Sequence, residues 1–152
     1  MIISDSTTLI ILLDMDRFDL MDNLFPSITI PQTVYDEINF KKETVLPRSI
    51  KVSKIKESQL LKSLKLLLDD GESEAIALAH EKKLPLIIDE KKGRKIAQNM
   101  NLKIIGLLGI VYVNIKKEFI TQKDAKLFLD DAVNNGYRIS QKLLDEMFEN
   151  IQ

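Results

Sequence analysis

Four carboxylates raise the chemical question in this chain: Asp5, which ends the run "IISD", Asp89, which ends "LIID", Glu37 in "PQTVYDEI", and Glu74 in "DDGESEAIALA". Acids that converge from distant segments repel one another unless cations sit between them. Hard oxygen ligands without histidine or cysteine favour Mg²⁺ or Mn²⁺ over zinc. Such ions polarise a phosphate, generate hydroxide from water and steady the leaving oxygen, so a converged set is equipped for phosphodiester hydrolysis.

Taken singly, each acid has a blander use. Asp5 and Asp89 can cap the helices that follow them, and Glu90 can replace Asp89 in any functional role. Glu72 and Glu74 can serve the dipole of their helix, and Glu37 can be a surface residue. Only convergence gives the set a chemical meaning.

Composition closes other routes. The chain has no cysteine, which excludes disulfides, thiolate zinc sites and a cysteine nucleophile. Its one histidine, His80, has no partner for a two-histidine metal site and is expected on the surface of its helix. A net charge of −1 and a pI near 5.9 provide no global positive field. A polyanion would have to be held by local basic residues or by bound cations. The start "MIIS" lacks the features of a secretory signal, and the longest near-apolar run, "IIGLLGIVYV", is about half the length of a membrane span, so a cytoplasmic location is expected.

The elements that must position the acids follow from periodicity. "IIS", "SITIP", "IKVSKI", "LPLIIDE" and "KIIG" read as strands, the fourth as a central one because its apolar run is unbroken. Helices are expected in "TTLIILLD", "RFDLMDNLF", "PQTVYDEINF", "SQLLKSLKLLL", "ESEAIALAHEKK", "KKGRKIAQNM", "LLGIVYVNIKK", "QKDAKLFLDDAVNN" and "SQKLLDEMFENI". Strands alternating with helices imply a parallel α/β sheet covered on both faces, forming one domain over residues 1–152.

In such sheets ligands bind beyond the carboxyl ends of the strands, where Asp5 and Asp89 both fall. Glu37 borders the stripe of Val34 and Ile38 and should look inward. Glu74 lies one turn before Leu78, while Glu72 is expected to face water.

With these residues assembled, the chain resembles the PIN-domain nucleases, and in particular a PIN-like subfamily related to toxins of prokaryotic toxin–antitoxin pairs. The matching segments are "IISDSTTLIIL", "PQTVYDEI", "DDGESEAIALA", "LPLIIDEKKGRKIA" and "IIGLLGIV", in the family's order through most of residues 1–113. The resemblance implies a three-layer PIN-like α/β fold, a central parallel sheet with helices on both faces and a helical C-terminal tail. It also implies an acidic Mg²⁺ or Mn²⁺ pocket made by Asp5, Glu37, Glu74 and Asp89, with Ser6, the hydroxyl after the first aspartate, as a substrate-binding group. The activity implied is endoribonuclease cleavage, with RNA favoured over DNA as substrate and an antitoxin protein as partner. Lys91, Lys92, Arg94 and Lys95 are placed to steer the nucleic-acid backbone, Arg94 best because it can give a phosphate two hydrogen bonds. The apolar C-terminal helices also suit a homodimer.

Two other classes compete. A phosphatase with strand-end aspartates needs a second aspartate two residues after the first, where this chain has Thr7. A catalytically degenerate PIN-like module would bind nucleic acid or protein without cutting, and metal titration separates it from the enzyme.

Overall fold

The computed structural model describes residues 1–151. Its five-stranded sheet has the order β3-β2-β1-β4-β5, with every neighbouring pair parallel. The strands are β1 (Ile2–Ser4), β2 (Ile28–Pro31), β3 (Ile50–Ser53), β4 (Leu86–Ile87) and β5 (Ile104–Ile105). Between β1 and β2 come α1 (Ser6–Asp14) and α2 (Asp19–Asp22), and α3 (Gln32–Asn39) follows β2 directly. Two helices, α4 (Gln59–Lys65) and α5 (Asp70–Lys82), separate β3 from β4, and α6 (Lys91–Asn99) separates β4 from β5. The chain ends in α7 (Leu107–Lys116), α8 (Gln122–Asn134) and α9 (Gln141–Ile151).

Strand alternation divides the core in two. Ile2, Ile28, Ile30 and Ile87 turn to the face covered by α1, α2, α3 and α7 to α9. Ile3, Leu86 and Ile88 turn to the other face, covered by α4, α5 and α6. A sheet buried on both faces explains why its strands are continuous apolar runs. Within α5, Ala75 to Ala79 are all buried, as five apolar residues in succession require. The fold is therefore the three-layer α/β architecture expected from the sequence, a central parallel sheet with helices on both faces and α8 and α9 as the helical tail.

Strand β4 is shorter than the "LPLIIDE" run suggests, because its outer partner β5 pairs over two residues only. The Ile88 N–H still reaches Ile105 O at 3.0 Å, so the ladder ends immediately before Asp89. Pro31, expected to open α3, instead ends β2 and occupies the N-cap position, a difference of one residue.

From β1 the chain moves outward to β2 and β3, then returns to β4 on the opposite side of β1. The reversal opens a crevice at the carboxyl ends of β1 and β4. Ser4 pairs with Ile87, which puts Asp5 and Asp89 at this one edge. Where α7 packs on α2, buried Asn114 donates to Leu20 O at 2.9 Å and to Ile110 O at 2.8 Å. Among the described residues no helix is long and apolar enough to cross a membrane.

Candidate acidic site

Asp5 leaves the sheet last. Its N–H is bonded to Ile87 O at 3.0 Å, and its φ of −78° and ψ of 174° are those of a helix N-cap. The side chain nevertheless makes no capping bond, so the helix-cap explanation of this aspartate fails. Asp5 is 3% exposed. Burial pushes its carboxyl up to about 7; the Ser6 backbone opposes this, and the charges of Glu72, Glu37 and Asp69 add to it.

Glu37 is delivered by α3, which packs between α1 and α5. Ser6 Oγ donates to Glu37 Oε2 at 2.7 Å. On the opposite side Gly71, in the first turn of α5, leaves the carboxylate its space: a Cβ there would lie 1.9 Å from Glu37 Oε1. The Glu37 carboxyl is raised, first by burial and then by Asp69, Asp70 and Glu74, against the stabilising Ser6 hydroxyl. Ser6 itself is 6% exposed with its hydroxyl engaged, so in this structure it positions Glu37.

The other two expected acids reach the same edge but carry bonds of their own. Glu74 accepts from Thr33 Oγ1 of α3. Asp89 accepts from Thr8 Oγ1 of α1 and from the Leu107 N–H at 3.0 Å, serving the start of α7 where Gly106 has no side chain to do so. A Cβ on Gly106 would lie 2.5 Å from Asp89 Oδ1 and 2.8 Å from Arg94 Nη1, so this crossing too depends on a glycine. Glu90 caps α6, receiving the N–H groups of Lys92 at 3.0 Å and Gly93 at 2.6 Å.

Glu72 differs from its expectation: it does not simply face water but is half-buried at the site. Burial pushes its carboxyl up to about 7, with further contributions from Asp69, Glu90 and Glu37 against a backbone hydrogen bond at Asp69. The reason is where α5 starts. Asp69 is its N-cap, accepting the Glu72 N–H at 2.8 Å, so Glu72 lies in the first turn, one turn ahead of the fully buried Ile76. The signal was present in the sequence as an Asp-x-x-Glu cap before an apolar run.

The ion pairs formed by the described residues are Arg17–Asp19, Arg17–Asp124 and Lys65–Glu57, and none includes an acid of this edge. Asp5 therefore feels the charges of Glu37 and Glu72 with no ion-paired lysine or arginine on any of the three among the described residues. Among the described residues no three Asp, Glu or His side chains are already arranged to hold one ion. The donor set still suits a hard divalent cation: an uncapped buried carboxylate, a second one clamped beside it, and repulsion that a cation would relieve.

Basic residues flank the edge. Lys91, Arg94 and Lys95 share a cavity of about 770 Å³ with Asp89. Arg94 Nη1 donates to Ile88 O at 2.8 Å, which fixes the guanidinium beside the end of β4. A second cavity, of about 420 Å³, is lined by Glu37 together with Phe40, Lys41 and Lys42. His80 is exposed on α5, away from this arrangement in sequence and structure.

A family model described as PIN domain matches residues 1–152. Neither the curated proteins nor the solved structures give a significant match.

Proposed function

The chain belongs to the PIN-domain family, whose members are generally nucleases, and on that premise we propose that it is a Mg²⁺- or Mn²⁺-dependent endoribonuclease. The observation that carries this reading is the buried, uncapped carboxyl of Asp5 within the field of Glu37 and Glu72, with no lysine or arginine among the described residues paired to any of them.

In this proposal Asp5 is the central ligand, and Glu37, Glu74 and Asp89 complete the catalytic set directly or through water, with Glu72 reinforcing the negative field. A bound divalent ion would offset the repulsion among these acids, polarise the scissile phosphate and acidify a water molecule. The chain's own residues do the rest. Ser6 and Gly71 hold Glu37 in orientation from its two sides. Thr8 and the Leu107 N–H hold Asp89, and Thr33 holds Glu74. Lys91 and Arg94 grip the nucleic-acid backbone, while water adds to phosphorus and the bond to the leaving ribose oxygen breaks. Resemblance to the toxin-related subfamily further suggests an antitoxin protein as the natural partner.

The test is incubation of the purified protein and its Asp5→Asn variant with mixed structured RNAs, in Mg²⁺, Mn²⁺ or chelator. Metal-dependent cleavage by the wild type alone supports the proposal. Equal cleavage by both proteins points to a contaminant and removes Asp5 from the chemistry. The competing reading, a module that binds without cutting, draws on the bonds already made by Glu74 and Asp89. It requires RNA to be retained intact in both metals.

A further inference from the structure

The cavity beside Glu37 is not used by the chemistry above. Its floor is apolar, formed by Ile10 and Leu13 of α1 and Ile38 of α3. Its rim carries Phe40, which is 86% exposed, followed by the exposed Lys41 and Lys42. Phe40 continues the helical backbone of α3, with φ −60° and ψ −45°, three residues after Glu37. Residues at that spacing are neighbours on one helix face, so the aromatic ring and the catalytic-site carboxylate are presented side by side.

The platform is also fixed. Asn39 Oδ1 accepts the Thr44 N–H at 2.7 Å and Asn39 Nδ2 donates to Tyr35 O at 2.9 Å, which ties the turn bearing Phe40 to Lys42. Tyr137 lines the same cavity and donates to Asp14 Oδ2 at 2.6 Å, bracing its wall against α1.

We infer that this cavity is a nucleobase subsite, in which an unpaired base adjoining the scissile phosphate stacks on Phe40 while Lys41 and Lys42 hold the neighbouring backbone phosphate. The inference rests on the nuclease reading and adds the form of its substrate. An exposed aromatic ring accepts the flat face of any base, and two adjacent cations offset the repulsion that an anionic strand meets at the acidic edge. Basic groups thus share one cavity with Glu37, as Lys41 and Lys42, and another with Asp89, as Lys91, Arg94 and Lys95. A single strand crosses the carboxylates from one basic cavity to the other. A rigid duplex offers no free base to the ring.

The chain has no tryptophan, so Phe40→Trp introduces one fluorophore at the platform. The variant is titrated with single-stranded oligouridylate, with the same backbone lacking bases, and with duplex RNA, all in Mg²⁺. Saturable quenching by the single strand alone is expected. In parallel, Phe40→Ala should raise KM for single-stranded RNA about 5- to 150-fold with kcat little changed, and Phe40→Tyr should restore it. If wild type and Phe40→Ala cleave RNA with the same KM, or the baseless backbone quenches as well as oligouridylate, the subsite is overturned and the nuclease reading stands. If the wild type cleaves no RNA in either metal, the nuclease reading fails and the subsite falls with it. Quenching by a protein partner but not by oligouridylate would reassign the cavity to protein docking.

Discussion

Replacing Asp5 with asparagine should stabilise the metal-free protein above neutral pH while abolishing its response to metal. Asp5 is 3% exposed, and its carboxyl is pushed from 3.8 to about 7. A carboxyl raised in the native state keeps its proton over a range where the unfolded chain has released it. Stability therefore declines as pH rises from about 4 to about 7 and stays reduced above that. At about 1.36 kcal/mol per pKa unit the full shift corresponds to about 4 kcal/mol. Glu72 and Glu37 titrate in the same field, so about 2–4 kcal/mol is assignable to Asp5. Asparagine preserves the shape and removes the buried charge.

The assay is urea unfolding of both proteins in chelator at about pH 5 and about pH 8. Part of the loss has already occurred by about pH 5, so between the two the wild type should lose about 1–3 kcal/mol more than the variant does. Adding Mg²⁺ or Mn²⁺ at the higher pH should restore the wild type and leave the variant unmoved. A wild type equally stable at both pH values, or an asparagine variant less stable than wild type at the higher one, would refute the reasoning.

Gly71→Ala places a Cβ 1.9 Å from Glu37 Oε1, a flexible carboxylate that can swing aside only by giving up Ser6. Thermal melts should change by no more than about 1 kcal/mol in stability, since alanine suits a helix, while RNA cleavage falls by about a hundredfold. Glu90→Ala removes both capping bonds of α6 and should cost about 1 kcal/mol in urea unfolding with cleavage retained; lost cleavage at unchanged stability would make Glu90 rather than Asp89 the fourth acid. Asn114→Leu strands Leu20 O and the Asn23 amide, and denaturant unfolding should show a loss of about 2–4 kcal/mol with the acidic edge intact.

How far the primary structure reaches depends on the range of the physics involved. Strand-end aspartates after "IIS" and "LII", the buried run Ala75 to Ala79 and the inward tilt of Glu37 are local periodicities, and each appears in the fold as read. Local pattern also carries the parallel α/β class and the family resemblance. It does not determine which carboxylates remain unbonded, because that depends on partners supplied by other elements. Thr33 occupies Glu74, Thr8 and the Leu107 N–H occupy Asp89, and none of these three bonds is written in the neighbourhood of the acid it engages.

The uncapped state of Asp5 likewise depends on packing, because a strand-end aspartate before a helix reads locally as a cap and its side chain makes no capping bond. From residue type and spacing alone come the acids, their strand-end positions and the metal chemistry they suit. Tertiary packing decides their electrostatic state, because burial and the approach of Glu37, Asp69 and Glu72 are what raise the Asp5 carboxyl. Those are long-range effects of desolvation and like charge, which no stretch of sequence contains by itself.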